Sequence, residues 1–173
     1  MELPKRKPNR LSSYDYDREG TYFLTICTQD RQCLLSKIVG GGAYDAPENQ
    51  LTDFGKIAEK YILSGNRMDR ITVEKYVIMP NHIHLLLTVD MNSGGTSKAP
   101  SPTNAIVPHF VSTFKRFCHR EIGKTIFQRS YHDHVIRKEQ DYLKIWNYIE
   151  GNPSKWEEDC FYVKEEWDVP VYR

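Results

Sequence analysis

Apolar residues along the chain alternate between two spacings, and each change of spacing marks an element. Thr21-Tyr22-Phe23-Leu24-Thr25-Ile26-Cys27-Thr28 is dense in β-branched and aromatic residues behind Gly20 and predicts a strand. Phe54, Ile57, Ala58, Tyr61 and Ile62 recur at helical spacing, with Thr52 or Asp53 placed to cap the start and Gly65-Asn66 to stop it. Residues 71–79 and 82–89 read as two strands, and the Pro80-Asn81 dipeptide between them suits a tight turn, so the pair predicts a hairpin. Ile106, Val107, Phe110, Val111, Phe114 and Phe117 form a second helical stripe running to Gly123, with Lys115 and Arg116 on its outward side. Residues 126–136 predict a fourth strand. Glu139 to Gly151 predicts a third helix, with Leu143, Trp146 and Ile149 toward a core and Asn152-Pro153 closing it.

Strand, helix, strand, strand, helix, strand, helix is the order of an α+β protein. Two right-handed crossovers arranged this way give a ferredoxin-like split βαβ sandwich: a four-stranded antiparallel sheet with helices on one face and the other face open for a site. The chain from residue 29 to Thr52, with Gly40-Gly41-Gly42, reads as a connecting loop, and the Gly/Ser/Pro-rich segment 91–103 as a mobile loop. Residues 1–155 are expected to form one domain with a basic N-terminal arm at 1–13. Residues 156–173 are expected to form an acidic, aromatic tail that packs back on it.

Length and composition fit this picture, since 173 residues suffice for about one core. No stretch approaches the ~18 uncharged apolar residues of a membrane helix. The N-terminus opens on charge with no apolar run behind it, so a cytoplasmic protein without a membrane partner is expected. The formal charge of +1 hides an uneven distribution. Residues 115–138 carry seven basic and two acidic side chains, a net +5, whereas residues 139–173 carry four basic and nine acidic, a net −5. The first ten residues add a net +3 through Lys5, Arg6, Lys7 and Arg10. Two basic patches raise the question of a phosphate-bearing partner, although a solvated helix face would look the same.

Cys27, Cys33, Cys118 and Cys160 show no metal-finger spacing and read as free thiols. The three glycines lack the GK[ST] that a phosphate loop needs. More informative is Met79-Pro80-Asn81-His82-Ile83-His84-Leu85-Leu86-Leu87. Side chains two apart on a strand share a face, so His82 and His84 can present two imidazoles to one metal ion, or form an incidental surface pair. On the last helix, Tyr148 and Asn152 lie four residues apart and share a face. A phenol nucleophile would stand there beside a ligating amide oxygen, or a surface tyrosine beside a capping asparagine. His132-Asp133-His134 is a second His-x-His, read as structural or DNA-facing.

The run MPNHIHLLL, followed by FQRSYHDHVIR and YIEGNP, resembles the single-tyrosine HUH transposases of the insertion-sequence-200 type. With YDYDREGTYFLTICTQDR ahead of it, the set is most similar to their REP-associated tyrosine transposase branch, over residues 14–155. The resemblance implies that His82 and His84 bind a divalent metal, Mg²⁺ or Mn²⁺, that Asn152 stands as the third ligand, and that Tyr148 on the added C-terminal helix is the nucleophile. It also implies a DNA groove bordered by Lys115 and Arg116, and a substrate of single-stranded or hairpin DNA cleaved and rejoined through a 5′-phosphotyrosine. Lys115, Arg116, Arg120 and the arm residues Lys5, Arg6 and Lys7 would track phosphates. Relatives of this kind occur as monomers and homodimers. Two rival readings use the same residues: a non-catalytic nucleic-acid-binding module on the same fold, and a metal-dependent hydrolase using His82 and His84 with a bound water.

Overall fold

The computed structural model describes residues 19–40, 46–90 and 105–163. The expected arm with Lys5, Arg6 and Lys7, the loop 91–103 and residues 164–173 of the tail lie outside the described residues. In chain order the elements are β1 (Gly20–Cys27), β2 (Ser36–Val39), β3 (Glu48–Leu51), α1 (Asp53–Ser64), β4 (Ile71–Ile78), β5 (His82–Val89), α2 (Ile106–Ile122), β6 (His132–Ile136) and α3 (Glu139–Gly151). A 3-10 turn, Pro153–Glu158, follows α3.

Strands β4, β5, β1 and β6 lie side by side in that order, every neighbour antiparallel. This is the ferredoxin-like split βαβ sheet that the order of elements predicts. Alternation along each strand divides the apolar residues between two layers. Tyr22, Leu24 and Ile26 of β1 and Ile83, Leu85, Leu87 and Val89 of β5 pack with Ala58 and Ile62 of α1 and Val107, Phe110, Val111 and Phe114 of α2. On the opposite face Leu86, Val77 and Met79 pack with Ile149 of α3 and Trp156 of the 3-10 turn. Tyr162 adds to this second cluster, so the tail packs back on the domain as far as it is described.

The helix termini follow their local chemistry. Thr52 caps α1 by accepting from the Gly55 N–H at 3.1 Å, and Gly123 ends α2 in the left-handed region at φ 80°. At Gly55 the helix runs so close to the Leu35 carbonyl that a Cβ would collide with it.

Four local expectations need correction. The connection before α1 is a two-stranded hairpin, Ser36 opposite Leu51 and Val39 opposite Glu48, whose short polar strands carry little hydrophobic signal. The fourth strand spans only 132–136, since from 126 to 131 the chain makes a single bridge, Phe127 to Thr28. Leu143 is solvent-exposed, because Ile149, Ile145 and Trp146 supply the packed side of α3.

Lys115 does not face outward. It is 8% exposed, and its ammonium donates to the carbonyls of Gln128, Arg129 and Ser130 at 2.7, 3.2 and 3.0 Å. A lysine stem spans that distance across apolar surface, and three carbonyls in the irregular stretch before β6 meet its three donors. It anchors that stretch and is not available to a phosphate.

Candidate active site

The period of two along β5 sends His82, His84 and Leu86 to the α3 face, and both imidazoles are buried, at 0% and 1% exposure. Their Nε2 atoms stand 3.0 Å apart. The turn before β5 sets the tautomer of the first ring. The Asn81 amide nitrogen donates to the carbonyls of Phe161 and Arg31 at 2.8 and 3.3 Å, which leaves its oxygen to accept from His82 Nδ1 at 2.9 Å. His82 Nε2 is then a bare lone pair. Thr25 of β1, paired with His84 across the sheet, lies with Oγ1 2.9 Å from His84 Nδ1, and a proton there donated to Thr25 bares the second Nε2 as well.

Burial pushes both imidazoles below the ordinary histidine value, His82 to about 4 and His84 to about 3. Both are neutral near pH 7. The 3.9 Å approach of the Asp159 carboxylate to His82 Nε2 is accordingly no ion pair in the apo chain. In the other tautomer of His84, with Thr25 donating to its Nδ1, the Nε2–H donates to His82 Nε2 across the 3.0 Å; with both lone pairs bare, a cation can take the place of that proton.

α3 lies across this face and brings Tyr148 onto the pair. Its hydroxyl is 3.1 Å from His84 Nε2 and 3.2 Å from Asp159 Oδ2, while 43% of the residue remains exposed. Phe23 fixes the arrangement from β1, stacking on the His84 ring and meeting the Tyr148 ring edge-on. One turn later Asn152, 3% exposed, donates its amide N–H to Asp159 Oδ2 at 3.0 Å, and its own oxygen is buried with no hydrogen-bond partner. A buried amide oxygen without a protein partner can be satisfied by a water or by an ion.

Burial, then the charge and hydrogen bond of Asp159, pushes the Tyr148 phenol up to about 12. Burial also pushes the Asp159 carboxyl upward, but the Phe161 N–H and the Asn152 amide outweigh it and hold it below the ordinary carboxylate value.

Asp159 is the site residue that the sequence pattern does not reveal. His82, His84 and Asp159 each offer one ligand atom, all within 4.8 Å of one another. Asp159 reaches the pair only because the 3-10 turn and Trp156 fold the chain back, and nothing in its local spacing announces that. Asn81 is likewise legible only as a turn residue, not as the partner of a histidine.

The second His-x-His shares the site face: β6 places His132 opposite Thr25 and His134 opposite Phe23, both exposed. Arg116 and Arg120 are exposed on α2, with their guanidinium groups over the Phe117 ring. α2 covers the other face of the sheet, so these two cations are not beside the histidine pair. No helix among the described residues is long and apolar enough to cross a membrane.

No protein-family model matches the chain. An uncharacterized protein of Haemophilus influenzae is 30% identical, the match covering 91% of this chain and 93% of that protein. Among solved structures, a REP-associated tyrosine transposase bound to a REP hairpin superposes with a TM-score of 0.56 at 22% identity, over 90% of this chain and 74% of that one. The chain belongs to one family with the Haemophilus influenzae protein, and its fold is that of the REP-associated tyrosine transposase.

Proposed function

We propose that this protein is a transposase-like strand transferase that cleaves and rejoins single-stranded, hairpin-forming DNA through Tyr148. The observation that carries the reading is the Tyr148 hydroxyl 3.1 Å from the Nε2 of a buried, neutral histidine pair, with the orphaned Asn152 oxygen one helical turn away. The fold it shares with a transposase bound to a REP hairpin supports a hairpin substrate.

The donor set fits a divalent cation such as Mg²⁺ or Mn²⁺: two imidazoles, a buried amide oxygen and a carboxylate. His82, His84 and Asn152 would hold it, with Asp159 within reach, and when bound it would polarise a phosphoryl oxygen. The chain's own residues do the rest. Tyr148 Oη forms the bond to phosphorus as the bond from phosphorus to the 3′ oxygen breaks, leaving a 5′-phosphotyrosine and a free 3′-hydroxyl once solvent protonates it. A phenol pushed up to about 12 is neutral near pH 7, so its proton must be taken as the bond forms. Asp159 Oδ2, already accepting from that hydroxyl at 3.2 Å, is the acceptor this chain provides. Because the phosphodiester energy is kept in the covalent link, a second 3′-hydroxyl can reverse the step without ATP.

The test is incubation with single-stranded hairpin DNA and Mn²⁺ or Mg²⁺, read on a denaturing gel. A covalent protein–DNA species is expected with the native chain and none with Tyr148→Phe, whose hairpin binding persists. An adduct that survives in Tyr148→Phe removes the nucleophile, and hairpin binding without an adduct in either metal leaves a non-catalytic binding module.

A further inference from the structure

Beside Tyr148, between α3 and the chain that follows it, is a cavity of about 370 Å³ lined by Asn147, Tyr148, Gly151, Asn152, Lys155 and Glu158 among others. Its volume lies in the lower range of small-ligand pockets and has room for one base with its sugar. Tyr148, whose hydroxyl lies 3.1 Å from His84 Nε2, is part of its wall, so a ligand in the cavity adjoins the proposed nucleophile.

Gly151 lines this space. It is the last residue of α3, outside the left-handed region, and a Cβ built on it meets no heavy atom within 4 Å. Neither backbone conformation nor crowding demands glycine there, although glycine costs about 1 kcal/mol against alanine inside a helix. Its missing side chain leaves that part of the wall open to a ligand.

The charges on the wall select the ligand. The lining carries one basic side chain, Lys155, and two acidic ones, Glu158 and Asp159, a balance that disfavours a second phosphate. An acceptor-only carboxylate, a donor-only ammonium and the Asn147 amide, which does both, supply the hydrogen-bonding types that a nucleobase edge pairs with. A carboxylate rewards an amino group, which cytosine, adenine and guanine carry and thymine lacks.

Building on the proposed cleavage reaction, we infer that this cavity is the subsite for the nucleobase flanking the scissile phosphate and that it takes a base bearing an exocyclic amino group in preference to thymine. Two measurements on the full chain test this. In the first, backbone amide shifts are followed by NMR during titration with dCMP, dAMP and TMP. Shifts at Gly151 and Glu158 are expected with dCMP or dAMP, with TMP about fivefold weaker, the value of one hydrogen bond. Gly151→Leu should lose them without a lower unfolding midpoint, and the exposed Glu158→Gln should erase the preference over TMP. In the second, adduct formation is timed on hairpin DNA carrying an abasic nucleotide on either side of the cleavage point. One of the two positions should slow the native chain about tenfold, a loss of roughly 1.4 kcal/mol, and intact DNA should slow to the same rate with Gly151→Leu.

Equal or absent shifts with all three nucleotides overturn the inference, as does indifference to both abasic positions. If adducts form at those indifferent positions, the Tyr148 reading stands without the pocket. Selective shifts with no adduct leave a nucleobase pocket and sink the cleavage reading.

Discussion

The two faces of the sheet are built from the same strands and differ in almost everything else. Toward α1 and α2, β1 and β5 contribute Tyr22, Leu24, Ile26, Ile83, Leu85, Leu87 and Val89, a continuous apolar layer. Toward α3 the same strands contribute Thr25, His82 and His84, all 5% exposed or less, flanked by a smaller apolar cluster around Leu86, Ile149 and Trp156. Apolar burial is favourable in itself, whereas each buried polar atom must find a partner or cost stability. The first face therefore holds the fold, and the second holds a constellation that packing would not select.

The comparison breaks most readily on its stable side. Phe110, 1% exposed and stacked on Phe114, approaches Gly65 so closely that a Cβ there would press on its ring. Phe110→Ala should cost about 3–5 kcal/mol of unfolding free energy by denaturant titration. Adduct yield per folded molecule should not change. A loss of adduct in molecules shown to be folded would mean that the two faces are coupled.

The reverse pattern is expected at Asn81, which holds His82 in its ligand tautomer. Asn81→Leu should weaken Mn²⁺ affinity by about 10–100-fold, measured by calorimetry, as loss of the group behind a histidine ligand does. Unchanged affinity would show that the ring keeps its orientation without the amide.

Lys115 tests which layer its charge serves. Lys115→Met should cost about 1–3 kcal/mol of stability, because three carbonyls lose a charged donor, and leave the salt dependence of DNA binding untouched. If α2 tracks phosphates, Arg116→Ala and Arg120→Ala should each lower the slope of log affinity against log salt by about one. A change of slope in Lys115→Met would return that residue to the DNA surface.

A last effect is one of pH. Burial holds His82 and His84 below the ordinary value of 6.5, so between that pH and about 4 the unfolded chain binds protons that the folded chain does not. Stability of the metal-free protein should be fully present above pH 6.5 and fall as the pH drops through this window. The double variant His82→Gln, His84→Gln should show a flatter curve, and Phe110→Ala the same curve displaced downward. Parallel curves for native and double variant would place the titrating groups elsewhere.

Most of this architecture is local in origin. Strand alternation put His82 and His84 on one face, and helical spacing put Tyr148 and Asn152 on another, because both periods are properties of the backbone alone. The order of elements sufficed for the sheet, since few topologies accommodate two crossovers and a hairpin. The resemblance of the ordered motifs led to the same fold that the structural comparison found.

Other features depended on contacts between segments far apart in the chain. The reach of Lys115 inward, the return of Asp159 to the histidines, the grip of Asn81 on Phe161 and the position of His132 opposite Thr25 all join residues whose own neighbourhoods are silent about the partner. The last thirty-five residues carry a net −5, and one of those carboxylates, Asp159, lies inside the site. Sequence determines which side chains share a face, because that is set by backbone period. Which faces meet, and which buried polar atom answers another, is decided by the packing of α3 and the returning chain against the sheet.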